Sequence, residues 1–152
     1  MLRNFTVQEQ MFYEASPSIL MLEDRAIFNR FATDIRPIQP NIIILDCLQK
    51  CYGGDENSKE EMLEWILHVE ELQNEHDCSV VVIHHANRNI LSTSAMDRSR
   101  GTTLLPGWAD TVIHMVRQPT GVQLQFGKVR QSGRELHNLN IDFHDYIWTV
   151  RV

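Results

Sequence analysis

The sequence lacks the features that mark membrane proteins and disulfide-bonded proteins. No apolar run approaches the roughly 20 residues that a membrane-spanning helix needs, and the N-terminus MLRNFTVQEQ has no signal-peptide core. Only three cysteines occur, Cys47, Cys51 and Cys78, and the C-x3-C spacing of the first two has no second pair to complete a zinc site. We therefore predict reduced thiols in a cytoplasmic protein with no membrane contact.

Glycine is also scarce, and none precedes Gly53. A phosphate-binding loop requires the pattern G-x-x-x-x-G-K-[ST], whose backbone N–H groups wrap the phosphates. The most similar stretch, GVQLQFGKV, has five residues between its glycines and Val129 where a hydroxyl is needed. It also alternates like a β-strand, and an extended backbone cannot form a cradle. This sequence therefore contains no phosphate loop.

Charge is distributed unevenly along the chain. The net charge is −6, but residues 1–87 hold 6 Lys and Arg against 15 Asp and Glu, whereas residues 88–152 hold 8 against 5. A protein that bound a polyphosphate backbone over its whole surface would not have this balance. We expect any anion contact to be local and to lie in the second half.

The hydrophobic pattern predicts an α/β fold in one unit, residues 1–152. NFTVQE alternates like a short strand, and SILMLEDRAIFNRFATDI carries a helical stripe that ends before Pro37. Ser58 followed by Glu61 is a capping-box pattern for the next helix. The buried face of that helix is predicted to carry Met62, Trp65, Ile66, Val69 and Leu72.

Two apolar runs flank this helix and predict a parallel βαβ unit. They are Asn41–Asp46 and CSVVVIHHA, and both read as strands buried on both faces. WADTVIHMVR predicts a further strand, and GVQLQFGKVR, ELHNLNIDF and YIWTVRV alternate in short runs between turn signals. We therefore expect parallel strands with crossover helices, followed by an antiparallel β meander.

Three polar side chains follow the two predicted parallel strands. Ligands of open parallel sheets bind at the carboxyl ends of the strands, where Asp46, His84 and His85 fall. One carboxylate suits Mg²⁺, which keeps most of its waters. The alternative is that Asp46 caps the next turn. The two histidines point to opposite faces if the strand continues, so one of them meets the site more easily.

Basic residues of the second half offer two possible anion contacts. Lys128 and Arg130 share a strand face and could meet polyphosphate, or could form a solvated basic edge. The polar segment Ala86–Thr103 carries Arg88, Arg98 and Arg100 against one acid. It could track a nucleic-acid backbone, or it could be a crossing without a ligand.

Taken in order, these pieces resemble the second part of a RecA-like ATPase core, in the branch of RepA-type hexameric plasmid helicases and related phage and plasmid ATPases. The resemblance covers roughly residues 36–152. It rests on PNIIILDCLQKCYGGDENS, similar to a Walker B strand and its turn, SVVVIHHANR, SRGTTLLPGWADTVIHMVR and FGKVRQSG. It divides the incomplete domain into a pre-Walker-B segment (1–35), a Walker B, sensor and arginine-loop region (36–118) and a meander (119–152).

The resemblance implies roles for these residues. Asp46 would hold Mg²⁺ through water, one of the two histidines would sense the γ-phosphate, and Lys128 and Arg130 would reach a neighbouring subunit's nucleotide. Arg88, Arg98 and Arg100 would face single-stranded DNA. The family's phosphate loop and catalytic glutamate have no counterpart here, so we expect negligible ATP hydrolysis and no tight nucleotide binding by this chain alone. The complete family member uses ATP and Mg²⁺.

The resemblance also predicts partners. In the family sheet, the phosphate-loop strand lies between the sensor strand and the strand after the arginine loop, and its absence leaves apolar edges. We expect a homo-oligomer, with strand exchange as one route, or completion by the missing half of the core. Two alternatives remain. One is a metal-dependent hydrolase using Asp46, His84 or His85, Asp110 and His114. The other is a non-catalytic oligomerisation or single-stranded-DNA-binding module.

Overall fold

The computed structural model describes residues 20–85, 103–130, 136–144 and 147–151. Its elements are α1 (Arg25–Ile35), β1 (Ile42–Asp46), α2 (Leu48–Cys51), α3 (Lys59–His76), β2 (Ser79–Ile83), α4 (Leu104–Trp108), β3 (Thr111–Arg117), β4 (Gly121–Val129), β5 (Leu139–His144) and β6 (Ile147–Arg151). The mixed α/β fold predicted from the sequence is confirmed: a parallel pair is followed by an antiparallel meander, as in a partial RecA-like fold. The predicted strand NFTVQE lies outside the described residues. No helix in the described part is long and apolar enough to cross a membrane.

The parallel pair and its crossover helix form as the sequence predicts. β1 and β2 pair in register from Ile42 opposite Ser79 to Asp46 opposite Ile83, with α3 between them in the chain. Ser58 caps α3, because its side chain accepts the N–H of Glu61 at 3.3 Å. The Glu61 carboxylate accepts the N–H of Asp55 at 3.0 Å. The N–H of Ser58 is donated to the Asp55 carbonyl oxygen instead, so only half of the predicted capping box is present.

The main core lies between α1, α3 and one face of the parallel pair. Trp65 is fully buried, and its indole N–H donates to the Cys51 carbonyl oxygen at 2.8 Å. His68 is also buried: its Nδ1 lies 2.6 Å from the Leu22 carbonyl oxygen, and its ring stacks on Phe28 at 4.8 Å. The predicted stripe on α3 is confirmed, since all of its members are buried: Met62, Trp65, Ile66, Val69 and Leu72.

The prediction that both parallel strands are buried on both faces is wrong. Ile43 and Leu45 are buried under the helices, but Ile44 on the opposite face is 63% exposed and Val81 beside it is 46% exposed. The helices α1 and α3 pack on the face that carries Ile43 and Leu45. Within the described residues no second layer covers the other face.

The meander has one apolar and one polar face. Paired residues on neighbouring strands share a face, as Met115, Leu124 and Leu139 do. Among the side chains that the structure describes, nine apolar ones lie on the apolar face and none of them is buried: Ile113, Met115, Val122, Leu124, Phe126, Leu139, Ile141, Phe143 and Val150. The polar face carries a ladder in which Gln125 donates to Gln123 at 2.7 Å and Gln123 donates to Asn140 at 3.0 Å.

A short helix links the meander to the main core. The sequence predicts a strand that begins at Trp108, but Trp108 ends α4 and β3 begins at Thr111. The Trp108 indole N–H donates to Glu70 on α3 at 2.8 Å, and Leu104 and Leu105 pack on the core. The sequence pattern does not predict this helix, because it contains Pro106 and Gly107 and both residue types are unfavourable in helix interiors.

Candidate functional site

The Asp46 carboxylate lies at the carboxyl end of β1, opposite Ile83 at the end of β2. Asp46 is exposed, and within the described residues no hydrogen bond or ion pair engages its side chain. It is the last residue of a strand that the core holds in place through Ile43 and Leu45. The site therefore presents an available carboxylate on a fixed backbone.

The two histidines follow β2 directly and differ in exposure. Exposure alternates along this stretch: Val82 and His84 are half-buried, whereas Ile83 and His85 are exposed. Because Asp46 and Ile83 are paired, His85 continues the side of the sheet that carries Asp46, and His84 continues the side that faces the helices. This difference could not be read from the sequence, in which the two residues are equivalent.

The turn after α2 places carboxylates beside a buried phenol. Tyr52 donates its hydroxyl to the Asp55 carbonyl oxygen at 2.9 Å. Burial, followed by the charges of Glu61, Glu23, Asp55 and Glu56, raises the pKa of Tyr52 to about 12. Glu23 accepts the N–H of Gly53 at 2.8 Å and fixes this turn to the segment before α1. No sequence signal marked Glu23, because its partner lies 30 residues away.

Cys51, near Asp46, is a poor metal ligand. Burial, followed by the nearby Cys47 and Asp46, raises the pKa of Cys51 to about 11, so its thiol stays protonated at neutral pH. Among the residues that the structure describes, no group of three or more His, Cys, Asp and Glu side chains could hold a metal ion. The alternative hydrolase set is thus not brought together as one metal centre: Asp46, His84, His85, Asp110 and His114.

Lys128 and Arg130 bind the end of α4 within their own chain. Lys128 Nζ donates to the carbonyl oxygens of Gly107 at 2.5 Å and Pro106 at 3.2 Å. The Arg130 guanidinium donates to the Trp108 carbonyl oxygen at 3.1 Å and pairs with Asp110 at 2.7 Å. Cations at a helix C-terminus satisfy carbonyl groups that have no partner in the helix. The sequence predicted that both cations share a face, but it gave no sign of α4 as their partner.

The remaining predicted site residues, Arg88, Arg98 and Arg100, lie outside the described residues. Contact with single-stranded DNA therefore stays a prediction. Lys128 and Arg130 would have to leave α4 before they could reach a neighbouring subunit's nucleotide, so that role also stays a prediction.

Comparison with known proteins identifies the family. No curated protein matches the chain. Residues 6–89 match the family model described as AAA domain, and the match covers more than half of the 152 residues. It includes β1, α3, β2, Asp46 and both histidines, and it ends before Lys128 and Arg130. The chain therefore belongs to the AAA domain family and is related to P-loop ATPases.

Proposed function

We propose that this chain provides the metal-binding side of a RecA-like ATPase core related to DNA helicases and recombinases. The observation that carries the proposal is the exposed carboxylate of Asp46, which has no partner in the described part and ends a strand fixed by the core. Open parallel sheets bind their ligands at this edge. The family match includes this strand and the next.

A single carboxylate fits the requirement for Mg²⁺. The ion takes one or two carboxylates and completes its shell with water and phosphate oxygens, so a cage of several acids is unnecessary. When bound, Mg²⁺ neutralises charge on the phosphates. Asp46 would accept hydrogen bonds from water on the ion, and His85, on the same side of the sheet, would donate to a phosphate oxygen. His84 faces the helices and would support the strand end.

The phosphate cradle must come from outside this sequence, which has no G-x-x-x-x-G-K-[ST] pattern. Backbone amides around the phosphates and a positioned attacking water provide most of the catalysis in such enzymes. We infer that the chain alone does not hydrolyse ATP and holds no nucleotide tightly. In the described part, β2 and β3 each have one unpaired edge, where a strand from the missing half could pair.

The proposal is tested by comparing the isolated chain with a completed one. The completed form joins this chain to a phosphate-loop segment, either from the upstream reading frame or as a co-expressed polypeptide. We expect no turnover above the buffer rate for the isolated chain, and turnover for the completed form. Asp46→Asn in the completed form should lower kcat by about 100-fold or more.

Asp34→Asn is the matched control. Asp34 lies on α1 and, among the described residues, makes only an exposed ion pair with Arg30 at 3.8 Å, so its loss should leave kcat within about twofold. Turnover by the isolated chain at roughly 1 per second or faster, the range of ordinary enzymes, would contradict the proposal. Full activity of the completed Asp46→Asn form would contradict it equally.

A further inference from the structure

β3 is an edge strand of the meander, and the described residues leave its outer backbone groups without a partner strand. β3 is seven residues long, TVIHMVR, and pairs only with β4 in the part of the chain that the structure describes. Proteins usually protect such edges with an inward charge, a proline, a bulge or a short strand. The only charge in β3 is Arg117 at its last position.

The irregularity next to β3 does not protect it. Val112 pairs with Lys128 and Ile113 pairs with Phe126, so the extra residue, Gly127, belongs to β4. β3 keeps an unbroken alternation and a regular outer edge. Met115, at 71%, is the most exposed of the large hydrophobic side chains in the described part, and Ile113 is 47% exposed.

The other strand edges that are unpaired within the described residues offer less to a partner. β1, β2 and β6 have five residues each, and β1 ends in the Asp46 carboxylate. β3 is therefore the edge with the most backbone to pair.

The order of side chains in β3 makes it complementary to itself. An antiparallel pair of β3 strands centred on His114 sets Ile113 opposite the partner's Met115 and Val112 opposite the partner's Val116. Thr111 then lies opposite the partner's Arg117, so no like charges are paired. Paired residues share a face, so each exposed apolar side chain gains an apolar neighbour.

We propose that β3 is a dimerisation strand whose partner is the β3 strand of a second copy of this chain, antiparallel and centred on His114. The two meanders then form one continuous sheet of eight strands. A strand edge buries less area than the roughly 1,200–2,000 Å² of a standard interface, so the dimer is weak. This pairing makes no use of Asp46, so Asp46→Asn leaves it unchanged. It occupies the edge of β3 that a strand from the missing half would otherwise take, so it belongs to the isolated chain.

Sedimentation velocity of the full chain over a range of concentrations measures this association. We expect a reversible monomer–dimer equilibrium, with the association constant lowered about tenfold or more by Met115→Lys. Leu63→Lys on α3 is the matched control, because Leu63 is 47% exposed on a helix and its change should have no effect. A chain that stays monomeric throughout would overturn the proposal, and so would a dimer that Met115→Lys does not weaken.

Cysteine cross-linking tests the register. At the centre of the pair, Cα atoms of facing residues lie about 4.5–5.5 Å apart, within the range of about 4.4–6.8 Å that disulfides span. His114→Cys should therefore form an intermolecular disulfide on mild oxidation, well above the background from native cysteines. Val116→Cys, which faces Val112 of the partner subunit, should stay at background. A dimer in which His114→Cys does not cross-link faster than Val116→Cys would refute this register.

Discussion

For some residues of this chain, hydrophobic spacing in the sequence predicts whether the side chain is buried. For others, the environment of the side chain depends on a partner that is distant in the chain. The stripe on α3 is identified by its period, and all of its members are buried. His68 lies within the same helix but is polar, and its burial depends on the Leu22 carbonyl oxygen 46 residues away. Glu23 depends similarly on the N–H of Gly53. Spacing along one helix carries no information about such contacts.

Tyr52 should make stability sensitive to alkaline pH. Its pKa is raised from 10.0 to about 12 in the folded chain, first by burial and then by neighbouring carboxylates. A raised pKa favours the neutral phenol in the folded state. Its stabilisation is therefore complete below about pH 10 and is lost as pH rises through about 12. Urea unfolding from pH 8 upwards should show the free energy of unfolding falling above pH 10.

The Tyr52→Phe variant isolates this effect from other alkaline changes. It removes the hydrogen bond to Asp55, so its free energy of unfolding should be about 1 kcal/mol lower at pH 8. The difference from the natural chain should then shrink as pH rises, because only the natural chain has this phenol to ionise. A difference that stays constant up to pH 12 would contradict the assignment.

Helices and strands are predictable where the local hydrophobic pattern is strong. They are less predictable where the burial of a residue depends on elements that are distant in the chain. The parallel pairing of β1 and β2 follows from their runs and the crossover helix, whereas their register required the structure. Their continuous apolar runs are typical of strands covered on both faces, yet Ile44 and Val81 are exposed. The difference arises because the described part of the chain provides helices on one face only. α4 was missed because its stability comes from partners in other elements.

The α4–β4 contact is a testable source of stability. Lys128→Met keeps most of the side-chain volume but removes the donor to two carbonyl oxygens at the end of α4. We expect a loss of about 1–2 kcal/mol in the free energy of unfolding, measured by urea denaturation. Lys59→Met, at the exposed start of α3, is the control and should change stability by less than about 0.5 kcal/mol. Equal effects of the two substitutions would contradict the role given to Lys128.

At the scale of the whole molecule, the described residues form two sheets, the parallel pair and the four-stranded meander, and helices pack on one face of the pair. α1 and α3 cover the inner face of the parallel pair, and α4 joins α3 to the polar side of β4 through Trp108 and Lys128. The apolar face of the meander and the exposed face of β1–β2 have no cover within the described residues. The absence of a phosphate-loop pattern could be read from the sequence, but the extent of the uncovered surface required the structure. Both observations favour a chain that completes its site with another polypeptide segment.

The most direct test of this account is a titration of the isolated chain with Mg²⁺ and ATP in an isothermal calorimeter. A carboxylate without a phosphate cradle should give a dissociation constant weaker than about 1 mM, with little difference between the natural chain and Asp46→Asn. A dissociation constant of about 10 µM or lower, weakened about tenfold or more by Asp46→Asn, would contradict it, because the chain would then hold the triphosphate with ligands of its own.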